Sequence, residues 1–336
     1  MKNRFSIGCL VLIVSFAAAS RAAHSQTMAP PPRPEDPNAK IKMTVGLVVL
    51  RATTENHKGV LVSGLTKDNF QIFEDGVGQR IEMFSHEDIP VTVGLVIDGS
   101  GSMRPKHNDV VVAGQAFVKS SNPNDEMFEV NFNESVSFGL PEETPFTNLV
   151  TPLQLAIQRS PISGKTALYD AISAALDRLK SGTRDKRVLV VISDGGDNAS
   201  KHTLKDVMTQ AIESNAVIYT IGLFDESDQE KNPGVLKQLA HATGGEMYLP
   251  STIAEVIPIC AQIARDIRNQ YTIAYIPTNA AADGKYRAIQ VKVKFPGSER
   301  LVVRTRAGYY APGGPPKTEP TKPPTTRSLA TPHSGA

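Results

Sequence analysis

The stretch VTVGLVIDGSGSM, residues 91–103, decides the fold of this chain. It begins with a mostly apolar, β-branched run, which predicts a strand that is buried on both faces of a sheet. The run ends at Asp98, and two hydroxyl side chains, Ser100 and Ser102, follow at alternate positions. Ligand sites of open α/β sheets lie at the carboxyl ends of strands, so these three side chains are candidate ligands. Oxygen donors of this kind suit a hard divalent cation.

Strands and helices alternate on both sides of this stretch. The predicted strands lie at residues 91–97, 127–132, 135–138, 187–193, 216–221 and 246–249, and the predicted helices near 105–119, 149–158, 166–180, 203–214, 234–242 and 252–269. Such alternation predicts an α/β fold, a doubly wound and mostly parallel sheet flanked by helices. The strand pair at 127–138 is expected to form an antiparallel hairpin at one edge of this sheet.

Two short β segments flank the α/β region. Residues 41–90 contain predicted strands at 43–50, 69–73 and 80–84, and the chain beyond the last helix contains predicted strands at 271–277, 286–295 and 300–307. Each segment is too small to be stable alone. We therefore expect segments 41–90 and 278–311 to pair as a small β-sandwich-like accessory domain, into which the α/β domain (91–277) is inserted.

The two ends of the chain predict export and disorder. Residues 1–25 have the pattern of a signal peptide, with Lys2 and Arg4 before an apolar core that is too short for a comfortable membrane span. We expect an exported protein, periplasmic or extracellular, with an uncleaved membrane anchor as the alternative. Residues 26–40 form a Pro-rich linker, and residues 312–336 form a Pro/Thr-rich tail that is predicted to be disordered.

The cysteine content of the mature chain excludes an intramolecular disulfide, and its charge pattern argues against a nucleic-acid-binding protein. Cleavage of the signal peptide removes Cys9 and leaves Cys260, which cannot form an intramolecular disulfide. Cys260 lies in an apolar helical pattern and is predicted to be a core residue. The formal net charge is +2, and no basic stripe carries interleaved aromatic residues, so a nucleic-acid partner is not expected.

Two later segments complete a pattern that begins at Asp98. Thr166 lies in SGKTALYD (163–170) at the mouth of a predicted helix, and Asp194 lies in VVISDG (190–195) at the end of an apolar strand. With Asp98, Ser100 and Ser102, these residues resemble the von Willebrand factor type A domain and its metal-ion-dependent adhesion site. The segments GLTKDNFQIFEDG (64–76) and RAGYY (306–310) resemble those of bacterial exported proteins with a von Willebrand factor A-related domain.

The resemblance implies a metal site and a binding function. Its ligands would be Asp98, Ser100, Ser102, Thr166 and Asp194, and its metal Mg²⁺ or Mn²⁺. Two carboxylates leave little negative charge around a divalent ion, which then attracts one more anionic oxygen. In the family, an Asp or Glu of a protein partner supplies that oxygen. The resemblance therefore implies a metal-dependent, adhesion-type module that binds proteins and is not an enzyme.

Simpler explanations exist for each residue taken singly. Asp98, Ser102 and Thr166 could cap helices, and Asp194-Gly195 could be an ordinary turn. The coincidence of all five residues at strand and helix ends favours the metal site. A second function also stays open, in which the protein is an assembly scaffold of the cell envelope and the metal only stabilises the loops.

The sequence does not match the enzymatic motifs that it partly resembles. The segment Ser163–Thr166 resembles the end of a phosphate-binding loop, but Arg159 stands where that loop requires glycine. Residues 99–103 do not match the Gly-x-Ser-x-Gly turn of hydrolases, since the third and fifth positions are Gly101 and Met103. None of the histidines form a pair with metal-ligand spacing.

Overall fold

The structure is a computed structural model, and it describes residues 46–224, 231–294 and 301–313. The predicted signal peptide (1–25), the Pro-rich linker (26–40) and nearly all of the tail (312–336) lie outside these ranges. Within them, no helix combines the length and the apolar character that crossing a membrane requires.

The described residues form fourteen strands and six α-helices. The strands are β1 (Val48–Glu55), β2 (Phe70–Glu74), β3 (Val77–Gln79), β4 (Ile81–Ser85), β5 (Thr92–Asp98), β6 (Glu126–Phe132), β7 (Val136–Phe138), β8 (Arg187–Ser193), β9 (Val217–Gly222), β10 (Met247–Tyr248), β11 (Tyr271–Tyr275), β12 (Tyr286–Val293), β13 (Val302–Arg304) and β14 (Gly308–Tyr310). The helices are α1 (His107–Ser120), α2 (Val150–Gln158), α3 (Leu168–Lys180), α4 (Leu204–Ser214), α5 (Pro233–Thr243) and α6 (Ile253–Arg268).

The central sheet confirms the predicted α/β fold. Its six strands lie in the order β10-β9-β8-β5-β6-β7, and all neighbours are parallel except β6 and β7. The antiparallel edge hairpin of the prediction is thus present. Every residue of β5 is buried, as expected of a central strand with both faces covered.

The strand order creates a switch point beside β5. The chain runs from β5 to β6 on one side, and later returns to β8 on the other side of β5. From β8 it continues outward to β9. Connections that leave β5 and β8 in opposite directions open a crevice between the carboxyl ends of these two strands, where α/β sheets bind ligands. Asp98 ends β5, and Asp194 directly follows β8.

The helices bury their apolar stripes against this sheet. On α3, the residues Ala171, Ile172, Ala175, Leu176 and Leu179 are all at most 1% exposed. The predicted core residue Cys260 is fully buried on α6, and its thiol donates to the carbonyl oxygen of Ala113 at 3.2 Å. Burial raises the pKa of this thiol to about 12, so it stays protonated.

Two antiparallel sheets combine strands from both flanks of the α/β region. Their orders are β13-β1-β11-β4 and β14-β12-β2-β3. Apolar residues of both sheets meet in a second core, separate from that of the α/β region. Within it, the buried carboxylate of Glu74 accepts hydrogen bonds from the hydroxyls of Tyr275 and Tyr309 and pairs with Arg287 at 3.3 Å.

One predicted boundary differs from the structure. The sequence division at residue 277 places Tyr271–Tyr275 in the α/β domain. In the structure this strand, β11, lies between β1 and β4 in a flanking sheet. The reason is its pairing: Tyr275 aligns with Val48, and Thr272 aligns with Ser85. The α/β chain therefore ends with α6, and its two connections to the flanking sheet leave from the neighbouring strands β4 and β11.

An ion-pair network joins the flanking sheet to α6. Arg304 on β13 pairs with the fully buried Asp266 of α6 at 2.6 Å, with Glu246 at 3.4 Å, and with Glu55 of β1. The Tyr248 hydroxyl also donates to Asp266 at 3.1 Å. One guanidinium thus pairs with acids on β1, on α6 and in the residue before β10, and it fixes the last helix against the flanking strands.

Candidate functional site

Three loops meet at the carboxyl ends of β5 and β8. The first loop (98–106) follows β5, the second (159–167) precedes α3, and the third (194–200) follows β8. The first and second loops are joined by two backbone hydrogen bonds, Gly101 N to Gly164 O at 3.0 Å and Ser163 N to Gly99 O at 2.9 Å. The five residues singled out in the sequence all lie on these loops.

Asp98 is held at the floor of the site. Its side chain is buried, with one oxygen, Oδ1, accepting the Ser100 N–H at 2.9 Å. The other, Oδ2, accepts the Ser193 hydroxyl at 2.6 Å. Ser193 is the last residue of β8, so this bond ties the ends of the two central strands together.

The first and third loops are joined by hydroxyl and carboxylate groups. The Ser102 hydroxyl donates to Asp194 Oδ2 at 2.6 Å and lies 3.1 Å from the Ser100 hydroxyl. The other carboxylate oxygen, Asp194 Oδ1, accepts the Gly196 N–H at 3.1 Å. Asp194 is itself only 1% exposed. Two carboxylates and two serine hydroxyls therefore form one connected polar cluster.

Thr166 brings the second loop against the third. Its N–H donates to Asn198 Oδ1 at 2.9 Å, and its carbonyl oxygen accepts the N–H groups of Asn198 and Ala199 at 2.9 and 3.0 Å. Thr166 is buried and lies two residues before the start of α3. The structure thus places all five predicted residues in three mutually hydrogen-bonded loops.

Close backbone contacts explain two glycines of the site. A Cβ on Gly99 would lie 2.3 Å from the carbonyl oxygen of Pro161, in the second loop. A Cβ on Gly195 would lie 2.4 Å from the carbonyl oxygen of Asn232, and Gly195 also has a φ of +79°. A side chain at Gly99 would push the first and second loops apart, and one at Gly195 would push the third loop away from the start of α5.

The electrostatics of the cluster favour a cation. Burial, and after it the neighbouring Asp194 carboxylate, raise the pKa of Asp98 to about 6. A buried ammonium group, Lys106 Nζ, lies 4.0 Å from Asp194 Oδ2. The paired acids therefore have a positive charge of the protein itself beside them.

Comparison with protein families agrees with this geometry. Residues 92–257 match the model of the von Willebrand factor type A domain. The chain contains a von Willebrand factor type A domain. Domains of this family generally mediate protein–protein interactions.

Solved structures with a similar fold come from several bacteria. An aerotolerance-related membrane protein from Bacteroides fragilis is 17% identical, with 53% of this chain and 98% of that chain covered and a TM-score of 0.44. The von Willebrand factor domain of the type V pilus tip protein Mfa5 from Porphyromonas gingivalis is 15% identical, with 54% and 95% covered and a TM-score of 0.46. A von Willebrand factor type A protein from Catenulispora acidiphila is 13% identical, with 80% and 74% covered and a TM-score of 0.47. No curated protein has significant similarity to this chain.

The donor set of the von Willebrand factor A domain fits a hard cation. The cluster offers two carboxylates and the hydroxyls of Ser100 and Ser102, with Thr166 on the adjoining loop, and all of these donors are oxygens. Across residues 46–224, 231–294 and 301–313, no group of three or more His, Cys, Asp or Glu residues could hold a metal. A metal at this site would therefore depend on hydroxyl ligands, as Mg²⁺ can accept and a soft metal would not.

Sequence reasoning missed Ser193 and Lys106, and it interpreted Asn198 as a turn residue near the rim of the site. Ser193 and Asn198 orient Asp98 and the Thr166 loop, and Lys106 neutralises part of the acidic charge. Asn198 stands in a turn-forming run, which gave it a simpler explanation. Lys106 has no spacing signal, because only the folded first loop brings it to Asp194.

Proposed function

We propose that this chain is an exported protein-binding module whose Mg²⁺ or Mn²⁺ ion captures an Asp or Glu side chain of a protein partner. The observation that carries the proposal is the bond from Ser102 to Asp194 beside the buried Asp98. Two acids and adjacent hydroxyls, drawn from separate loops, stand together at the switch point of the sheet. Burying two acids near each other costs stability unless positive charge compensates them, and this arrangement favours a cation-binding role.

Each residue has a distinct role in this proposal. Asp98 and Asp194 supply the negative charge that holds the metal, directly or through water. Ser100, Ser102 and Thr166 supply neutral oxygens that complete its coordination without adding charge. A metal bound by so few charges supplies a positive site that attracts a carboxylate oxygen of the partner.

The hydrogen bonds between the loops argue against the alternative function, in which the protein is an assembly scaffold and the metal only stabilises the loops. The first and second loops are linked through Gly101 and Ser163, and the second and third through Thr166. These bonds hold the loops together without an ion. Removal of the metal is therefore expected to abolish partner binding and to leave the fold in place, whereas a metal that only stapled the loops would have the opposite effects.

We also propose that the domain acts without catalysis. Among the described residues that follow the third loop, His202 is exposed, and its Nδ1 lies 2.7 Å from Asp170 Oδ1. That carboxylate engages the ring nitrogen. A hydrolytic site would instead require a base within hydrogen-bond reach of an activated nucleophile.

Export rests on the N-terminal pattern. The positive residues Lys2 and Arg4, the short apolar core and the small residues that follow predict a signal peptide, and therefore a periplasmic or extracellular location. Mass measurement of the mature N-terminus in an envelope or medium fraction tests this part.

The deciding experiment measures metal uptake and partner capture together. Purified wild type, Asp98→Ala and the control Asp177→Ala are titrated with Mg²⁺ by calorimetry, and then used to capture proteins from envelope extracts with and without EDTA. Asp177 is 61% exposed on α3, so its substitution leaves the site intact. We expect Mg²⁺ uptake and EDTA-sensitive capture by the wild type and by Asp177→Ala, and neither by folded Asp98→Ala. Absence of Mg²⁺ uptake by the folded wild type would contradict the proposal.

A further inference from the structure

Lys106 occupies an unusual position for a lysine. It ends the 3-10 turn Gly101–Lys106 within the first site loop, and its side chain is only 8% exposed. Lysine is almost never fully buried without a charged partner. Here the ammonium nitrogen lies 4.0 Å from Asp194 Oδ2, the same oxygen that accepts the Ser102 hydroxyl. Lys106 is thus directed at the acidic cluster from within the protein.

The contact between Lys106 and Asp194 affects how strongly the acidic cluster can bind a cation. Asp98 and Asp194 together carry two negative charges when both are ionised, and they repel each other in a buried setting. The ammonium of Lys106 neutralises one of these charges. A divalent ion that enters the cluster must then bind beside a fixed positive charge, which weakens its binding.

We propose that Lys106 is the resident counter-ion of the Asp98–Asp194 pair, which keeps the loops assembled without a metal and lowers the affinity of the site for Mg²⁺. The second half of this proposal rests on the proposed function, because it concerns the same metal site. The first half concerns the metal-free protein and stands by itself.

A charge-removing substitution tests the competition with metal. Lys106→Met keeps a long apolar side chain and removes the ammonium group. Lys119→Met, on the exposed side of α1, is the matched control. We expect calorimetry to give a Kd for Mg²⁺ that is lower by about tenfold in Lys106→Met than in wild type, with no change in the control. An equal Kd in all three proteins would overturn the competition.

A double-mutant cycle in EDTA tests the counter-ion role. Wild type, Lys106→Met, Asp194→Asn and the double variant are unfolded in urea, and their midpoints are compared. We expect Lys106→Met to lower the midpoint and Asp194→Asn to recover part of that loss in the double variant, because it removes the unbalanced carboxylate. If Lys106→Met does not fold in EDTA, folding of the double variant is the supporting result. Additive effects of the two substitutions would overturn the role.

The two experiments also separate this proposal from the proposed function. If neither wild type nor Lys106→Met takes up Mg²⁺, the proposed function fails, and with it the competition. The cycle in EDTA would still decide whether Lys106 balances the acids.

Discussion

Ser102 and Asp194 are 92 residues apart in the sequence, and the Ser102 hydroxyl donates to Asp194 Oδ2 at 2.6 Å. This hydrogen bond joins the loop after β5 to the loop after β8 at the switch point of the sheet. It also places a neutral oxygen and a carboxylate side by side, as a hard cation requires. The same contact therefore contributes to stability and to the candidate site.

Removing the Ser102 hydroxyl should weaken the fold and the metal site together. We expect Ser102→Ala to lower the free energy of unfolding by about 1–2 kcal/mol, because a buried carboxylate loses a donor. Urea unfolding measures this change, and calorimetry should register weaker Mg²⁺ uptake. The control is Ser163→Ala, since Ser163 contributes its backbone N–H, which the substitution retains. Equal midpoints for both variants would contradict the assigned role of the hydroxyl.

Gly99 should tolerate no side chain. In Gly99→Ala the new methyl group would meet the carbonyl oxygen of Pro161, which is a backbone atom and cannot rotate away. We expect a loss of about 1–3 kcal/mol in unfolding free energy, the range for overpacked positions. Gly78→Ala on β3 is the control, because a Cβ there meets nothing within 4 Å. A Gly99→Ala protein as stable as this control would show that the first and second loops are not in close contact.

Glu129 on β6 should make stability depend on pH. It is fully buried, and burial raises its pKa from 4.5 to about 8. Between these values the unfolded chain releases a proton that the folded chain keeps, so stability is greatest below about pH 4.5 and falls as pH rises towards 8.

The matching experiment compares Glu129→Gln with wild type at pH 5 and pH 7.5. The amide cannot ionise. We therefore expect the free energy of unfolding of the variant, relative to that of wild type, to rise by up to about 1.4 kcal/mol for each unit of pH increase. Urea unfolding at each pH measures the difference. The control is Glu143→Gln, at an exposed loop position, which should leave the pH profile of wild type unchanged. A constant difference between Glu129→Gln and wild type across this range would refute the assignment.

Arg304 should couple α6 to the flanking sheet. Arg304→Met leaves the fully buried Asp266 without its guanidinium partner, and we expect a loss of about 3–5 kcal/mol, as for other broken buried pairs. Adding Asp266→Asn should recover part of this loss, since the uncompensated charge is then removed. Unfolding monitored by circular dichroism measures both variants. Independent, additive losses would mean that the pair carries no coupling.

The sequence predicted the α/β region well because its patterns are strong and local. The strand β8 begins and ends where its apolar run predicts, and α3 buries the stripe that its periodicity indicates. The strands β3 and β14 were not predicted, because each has only three residues and one of them is glycine, which is depleted in strands. The predicted boundary at residue 277 left Tyr271–Tyr275 in the α/β domain, because the sequence does not show which strands an apolar strand pairs with.

For the site, the sequence supplied the residue types but not their contacts. Its five candidates lie on three loops that the structure joins, while metal binding by those five stays a prediction. The contributions of Ser193 and Lys106 depend on contacts across 95 and 88 residues of chain, to Asp98 and Asp194 respectively. No local pattern encodes contacts of that range, so only the folded chain could reveal them.

The neighbouring positions of β4 and β11 have a mechanical consequence. The chain enters the α/β domain after Ser85 and leaves it at Tyr271, and these two strands are hydrogen-bonded side by side in one sheet. A force on a partner held at the far end of the domain would travel down both connections at once. The two strands would be drawn in the same direction, without sliding against each other, and each would carry only a share of the load.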